Sequence, residues 1–293
     1  RYSEETALYL NLSTLLRFVP FTDFNGTPGT LTARLIDNSL ATPTFASAIT
    51  DAFGLADVGL YSEPEFADID ADGDLDAFIG RYYGITVFFE NTGTAIEPAF
   101  DSSYTDTIDS NPFSLHDVGW KAVPEFADID GDGDLDAFIG EYYGNTIYYE
   151  NIGTSLSARF VNSIANPFGI TNEIYANPVF ADLDNDNDLD LLIGNKEGNT
   201  LYLENTGTSL NPAFNAVIEN PFGLTNIGSH STPELSDIDG DGDLDAFIGN
   251  YDGNTLFFEN TGTNSTPEFA SAITNHFGFS DVGDAASPTL VDI

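Results

Sequence analysis

The sequence predicts an all-β fold, a β-propeller-like array of four-stranded blades preceded by a short β segment. Three observations predict it. An Asp-rich stretch recurs four times in nearly one form: DIDADGDLDAFIG from Asp68, DIDGDGDLDAFIG from Asp128, DLDNDNDLDLLIG from Asp182 and DIDGDGDLDAFIG from Asp237. A longer unit returns around it, and the prolines that open PEFADID, PEFADID, PVFADLD, PELSDID and PTLVDI are spaced by 60, 54, 55 and 55 residues. Within each unit, short apolar runs alternate with turn signals and show no helical periodicity. Four short strands in a unit of that length make a propeller blade, which buries its faces only by stacking on its neighbours.

The N-terminal 40 residues differ from the rest. LRFVPF and LTARLID alternate apolar and polar residues about the turn NGTPG at Asn25–Gly29, which reads as two or three strands without an acidic loop. The stretch LRFVPFTDFNGTPGTLTARLID resembles the end of a cadherin-like or immunoglobulin-like module of large bacterial surface proteins. Two regions follow: 1–40, a β segment, and 41–293, the repeat domain.

From residue 41 each unit reads in order as a strand (PEFADI), the acidic loop, a strand (DAFIG) and a turn (YYGNT or YDGNT). A strand (TIYYEN), a turn (TGT), a fourth strand around PAF and a connection through NPFGL complete it. Phe78, Phe138, Phe247 and the odd Leu191 are expected to pack between blades. Four units are complete and both ends are partial, with PTFASAIT at the start and SPTLVDI at the finish. Either the two ends pair within one chain as a mixed fifth blade, or one chain's end completes the next in a head-to-tail fibre; the first is preferred.

The acidic stretches have the chemistry of calcium loops. Carboxylates stand at positions 1, 3, 5, 7 and 9 of each: Asp68, Asp70, Asp72, Asp74, Asp76; Asp128, Asp130, Asp132, Asp134, Asp136; Asp182, Asp184, Asp186, Asp188, Asp190; and Asp237, Asp239, Asp241, Asp243, Asp245. A hard cation such as Ca2+ takes six to eight oxygens, and a nine-residue loop wraps it if alternate side chains point inward and the chain turns sharply midway. Gly73, Gly133, Gly242 and Asn187, at position 6, tolerate the positive φ of such a turn. By analogy with the EF-hand, side chains 1, 3, 5 and 9 and the position-7 carbonyl are the expected ligands. The twelfth-position Glu is replaced by Ile79, Ile139, Ile193 and Ile248, and no helix flanks the loops, so the context is β. Acidic turns without metal are the alternative. Against them, two carboxylates about 5 Å apart repel by roughly 1–3 kcal/mol, and four per turn give six such pairs. Magnesium, which prefers few carboxylates and keeps its waters, fits less well.

Composition excludes several classes of function. The 293 residues carry 48 acidic and 7 basic side chains, a net charge of −41, which argues against nucleic acid and anionic membranes as partners. With 41% hydrophobic residues, 24 Phe and 13 Tyr, the chain builds a core rather than a disordered acidic tail. Cysteine is absent and gives no redox clue. Repeated loops of this type suit millimolar extracellular calcium, which points to secretion. The absence of Met, of a signal peptide and of an 18-residue apolar run is expected of a processed or excised piece.

The pattern DIDGDGDLDAFIGxYxGNTxxxENTGT, with connections such as NPFGL, resembles the FG-GAP/VCBS repeat family, whose calcium-binding propellers include the integrin α-subunit head. The resemblance covers about residues 41–293. It implies about four Ca2+ ions, each held through loop positions 1, 3, 5 and 9 and the position-7 carbonyl. Family propellers close with seven blades, and here four units and two partial ends are counted. The function expected is an extracellular calcium-binding structural or adhesive repeat, part of a surface protein or fibre, with itself or surface glycans and proteins as partners. A carbohydrate-binding propeller is the alternative, since Tyr82, Tyr83, Tyr142, Tyr143 and Tyr251 recur beside acids. Lys196 and Glu197 break that pattern, and β-turn aromatics would look the same. No enzyme is expected: His116, His230 and His276 fall at unequal places in loops, and no Gly-rich phosphate loop, GxSxG or HExxH occurs. Sequons stand at Asn11, Asn25 and Asn264.

Overall fold

The computed structural model describes residues 45–46, 48–50, 52–101, 112–171 and 174–291. The chain divides into residues 1–41 and 42–293, and all that follows concerns the second unit. The N-terminal β segment and the sequons at Asn11 and Asn25 lie outside the described residues.

Four antiparallel sheets form the blades of a β-propeller. The first contains β1 (Glu63–Ala67), β2 (Asp76–Gly80) and β3 (Thr86–Phe89); the second contains β4 (Val123–Ala127), β5 (Asp136–Gly140), β6 (Thr146–Asn151) and β7 (Phe160–Ala165). The third contains β8 (Asn177–Ala181), β9 (Asp190–Gly194), β10 (Thr200–Leu203) and β11 (Ile218–Glu219). The fourth contains β12 (Thr232–Ser236), β13 (Asp245–Gly249), β14 (Thr255–Phe258) and β15 (Ile273–Thr274). Each meanders outward from its first strand, and the first strands neighbour one another: β1 packs beside β4, β4 beside β8 and β8 beside β12.

The fourth strand lies later than expected. PAF forms only isolated bridges in three blades, Asn91 to Phe100, Asn205 to Phe214 and Asn260 to Phe269, and opens a strand only at Phe160 of β7. The reason is that the PAF Phe is a plug rather than a strand residue. Phe100, Phe214 and Phe269 are buried, and their N–H groups donate to the carbonyls of Phe53, Phe168 and Phe222 in the preceding FG turn. Those turns are single 3-10 turns in which Phe53, Phe168, Phe222 and Phe277 take a left-handed backbone.

Blades pack as the aromatic repeat predicts. Phe78, Phe138, Leu191 and Phe247 are fully buried. Phe78 meets Phe126 of the next blade at 4.3 Å between ring centroids, and Phe138 meets Phe180 at 4.4 Å. Each such side chain removed from water contributes about 1.5–3 kcal/mol.

The ends of the unit share a fifth blade position. Phe45 N donates to Phe277 O at 2.9 Å, the bond that Phe100, Phe214 and Phe269 make in their blades. At the other end Thr289 Oγ1 donates to Pro64 O of β1 at 2.7 Å, and Leu290 N donates to Glu234 of β12. The segment 288–291 therefore stands between β12 and β1, where an innermost strand belongs. A backbone marker agrees: Tyr61, Lys121, Tyr175, His230 and Ala285 are all left-handed, with φ of 54, 52, 62, 54 and 60°, three residues before the proline that opens each of the four blades and before Pro288 of the C-terminal segment. The two partial ends thus meet within one chain, as the preferred reading expected, but the described residues form no fifth sheet there.

Candidate metal centres

Each acidic loop links the first strand of its sheet to the second, and its ninth residue opens that second strand. The loops fold alike because the same atoms bond alike. The two oxygens of Asp68 accept from the N–H groups of Asp72 and Gly73, at 3.1 and 3.2 Å. Asp128 does the same for Asp132 and Gly133, Asp182 for Asp186 and Asn187, and Asp237 for Asp241 and Gly242. The fifth residue then accepts from the seventh N–H, as in Asp74 N to Asp72 Oδ1 at 3.1 Å. Position 6 takes the positive φ expected of it, 95, 92, 73 and 98° for Gly73, Gly133, Asn187 and Gly242. Position 4 is left-handed too, at Ala71, Gly131, Asn185 and Gly240, which the sequence reading did not single out.

These bonds gather carboxylates. Asp68, Asp70 and Asp72 offer oxygens that all lie within 4.8 Å of one another. So do Asp128, Asp130 and Asp132; Asp182, Asp184 and Asp186; and Asp237, Asp239 and Asp241. At position 7 the side chain is shielded in three of the loops. Oδ1 of Asp74, Asp188 and Asp243, together with Oδ1 of Asp184, is buried with no hydrogen-bond partner. A shielded acceptor without a donor is costly, and a cation is the partner such atoms lack. Asp134 in the second loop has no such orphaned atom among the described residues.

Position 9 lies outside those groups of three and is anchored to its sheet. Oδ1 of Asp76, Asp136, Asp190 and Asp245 accepts from the N–H of Asn91, Asn151, Asn205 and Asn260, at 2.7, 2.7, 2.8 and 2.7 Å. Tyr148 and Tyr202 add hydroxyl bonds to Asp136 and Asp190. Each of these asparagines opens the NTGT-type turn and uses its Oδ1 to hold two more N–H groups, in one case Gly153 and Arg159. The repeated EN-x-GT in the sequence is the signal that could have identified them.

The electrostatics record crowded negative charge. Burial, with the neighbouring loop carboxylates, pushes Asp76 and Asp136 up to about 7 and Asp190 and Asp245 up to about 6. The backbone N–H bonds from the asparagines oppose that rise. Asp130 and Asp184 at position 3, and Asp74, Asp188 and Asp243 at position 7, are raised by the same two causes. A divalent cation reverses both effects, and the donor set, all oxygen and mostly carboxylate, fits a hard one.

The opposite strand ends carry the aromatic turns. Tyr83, Tyr143, Tyr251 and Trp120 are exposed there, and the Trp120 ring packs against Tyr82 and Tyr83 at 4.9 and 6.4 Å. Tyr61 stacks on Tyr82, and Tyr142, Tyr175, His230 and Tyr251 follow one another at 4.4, 4.4 and 4.8 Å. Of the three histidines, His116 is exposed and His276 lies on an FG-type turn. His230 departs from the expected surface placement. It is half-buried with both ring nitrogens unpartnered, and burial with the nearby Lys121 and Lys196 lowers it to about 4. Lys121 itself is buried against Glu63 at 2.9 Å. Asn264 is exposed in its turn. Among the described residues no helix is long and apolar enough to cross a membrane.

Residues 128–193, which hold the second and third loops, match the FG-GAP-like repeat. Among solved structures the chain is similar to a crystal structure of BBS1N in complex with ARL6DN, soaked with lead, at 11% identity and a TM-score of 0.37. That similarity covers 75% of this chain and 60% of the other, so the chain spans less than two thirds of that relative's length. No curated protein matches.

Proposed function

We propose, from an FG-GAP-like repeat whose loop is written four times around a propeller, that this is an extracellular calcium-binding structural or adhesive module of a surface protein or fibre. Calcium is its folding cofactor, about four ions per chain. The observation that carries this is the recurrence, at one register in all four blades, of three carboxylates with oxygens within 4.8 Å. Orphaned acceptors in three of the loops support it. In each loop the residues at positions 1, 3 and 5 would hold the ion, with position 7 behind them. When bound, the ion supplies positive charge that cancels the repulsion among these groups. At 100-fold excess over its dissociation constant each ion adds roughly 2.7 kcal/mol, and four add roughly 11, comparable to the whole stability of a domain.

The module is read as a binding and structural unit without catalysis. Closure of the ring by both ends favours a self-contained monomer that associates through its surface over strand exchange between chains. Sedimentation velocity with chelator and with millimolar calcium, followed by circular dichroism, tests both points. Calcium is expected to compact the protein as a monomer with unchanged β content or more. Growth into large assemblies would instead favour head-to-tail strand donation, and no response in either signal would remove the calcium reading.

A further inference from the structure

Three buried side chains meet where the first strands of three successive blades begin. Glu63 opens β1, Lys121 stands two residues before β4, and Asn177 opens β8. Lys121 Nζ lies 2.9 Å from Glu63 Oε1 and donates to Asn177 Oδ1 at 3.0 Å. Glu63, Lys121 and Asn177 are withdrawn from water, at 4, 3 and 2% exposure. We propose that this group closes an intramolecular isopeptide bond between Lys121 and Asn177, with Glu63 as its catalytic acid and base.

An amine attacks an amide carbon only with a free electron pair, and the amide nitrogen leaves only once protonated. Glu63 is placed to serve both steps. It takes a proton from the Lys121 ammonium across their 2.9 Å contact, which leaves a neutral amine and a carboxylic acid where two charges are costly to hold. Lys121 Nζ then bonds to Cγ of Asn177, the carbon that carries the oxygen it already touches. The Cγ–Nδ2 bond breaks as Glu63 protonates the leaving nitrogen and removes one proton from Nζ. The products are a secondary amide and one ammonia, which carries the remaining proton into water as ammonium and leaves Glu63 ionised. Nothing is oxidised or reduced, and the balance needs no further reactant.

The surroundings present the amide in one sense. Asn177 Nδ2 donates to Tyr175 O at 2.7 Å and to Ser231 O at 3.0 Å, which turns Oδ1 toward Lys121. Holding amine, amide and acid in contact makes the condensation a unimolecular step. Glu63 Oε2 is buried without a hydrogen-bond partner. An ion pair that served packing alone would strand that oxygen at a cost, whereas a proton shuttle uses it. The Tyr175 ring, its centroid 5.4 Å from Nζ, adds an aromatic wall.

The combination arises once around the ring. Tyr61, Tyr175, His230 and Ala285 take the place of Lys121, and Val123, Thr232 and Ser287 stand where Glu63 and Asn177 do. The bond joins residues 56 apart in sequence and staples the second blade to the third at their inner strands.

Lys121 and Lys196 are the only lysines, so a digest reads the bond directly. The full chain, folded in calcium and then denatured, would be cut with trypsin and its fragments weighed by mass spectrometry. Residues 82–159 and 160–196 should appear as one branched piece, lighter than their sum by one ammonia, with no cut after Lys121. Glu63→Gln keeps the size but cannot take the proton, and should release 82–121, 122–159 and 160–196 separately while circular dichroism is unchanged. The parent digest decides the bond even if that variant fails to fold. The proposal is overturned if the parent is cut after Lys121 with every fragment at its sequence mass. It is also overturned if 82–159 is joined instead to 35–81 with loss of water, as bonding to Glu63 would give, or if Glu63→Gln forms the branched piece as fully as the parent. The digest is read on denatured protein, so its failure leaves the metal assignment standing.

Discussion

Asn151 shows how a side chain outside the acidic loop governs it. Its N–H holds Asp136, its Oδ1 holds Gly153 N and Arg159 N, and its Nδ2 donates to Leu135 O at 3.1 Å. Asn151→Ala keeps the first bond and strands two N–H groups and a carbonyl in a buried place. The expected loss is about 2–3 kcal/mol, read as a fall in urea midpoint in calcium. Asp186→Asn is a contrasting change. It keeps the size and the bond to Asp188 N but removes one of the three clustered charges, so calorimetry should show weaker calcium binding at one of four sites, by tenfold or more. At this scale the sequence was most informative about the loops themselves, because alternating Asp with Gly or Asn at position 6 has few other uses. It offered the repeated EN-x-GT but not its use, since the bond from Asn151 N to Asp136 spans 15 residues, and it placed His230 in a loop without its burial among Tyr175 and Tyr251, which lie 55 and 21 residues away in the chain.

The strands were legible because their apolar residues sit between clear turns, and the loop, DAFIG and TIYYEN segments fall where patterning put them. The fourth strand was misplaced. PAF looks like a strand by composition, yet its Phe is held by an FG turn 46 or 47 residues earlier in the chain, a relation no local pattern contains. The glycine ending each DAFIG strand was likewise invisible as a packing residue. A Cβ on Gly80, Gly140 or Gly194 would lie 2.1 Å from the carbonyl oxygen of Ala122, Ala176 or Ser231. Those same backbones bond across the blade boundary, as in Ser231 N to Asn195 O at 2.9 Å. Gly194→Ala must push two blades apart at their closest point. It is expected to cost 3 kcal/mol or more, about the upper range of overpacking, with thermal unfolding shifted down far more than by an alanine at exposed Gly240.

For the whole molecule the ring of innermost strands is the decisive feature, and it carries an unusual set of acids. Glu65, Glu125 and Glu234 hold equivalent places on β1, β4 and β12, with Val179 and Thr289 in the other two positions. Glu125 accepts from Phe180 N of the next blade at 3.0 Å, and Glu234 from Leu290 N at 3.2 Å. Burial, opposed by those bonds, raises Glu125 to about 8 and Glu234 to about 7, and burial beside Glu125 and Glu234 holds Glu65 well above its usual range. Groups raised on folding favour the protonated fold, so their contribution is greatest below the unfolded value near 4.5 and is lost as pH rises through 7 to 8. The raised loop aspartates add the same slope while metal is absent. In chelator, urea midpoints should therefore fall between pH 5 and pH 8, less steeply in the Glu125→Gln, Glu234→Gln double variant; a flat profile in the parent would refute this. Calcium should offset the fall, since its ligands bind best deprotonated. Closure by the two ends has a further consequence, in mechanics. Phe45 and residues 288–291 occupy one blade position, so tension applied through the ends of the unit enters and leaves at that single blade. Force is expected to peel this seam first and to bypass the four blades that carry the acidic loops, so that pulling on the unit should show a small early rupture at the closing seam, with those loops left folded.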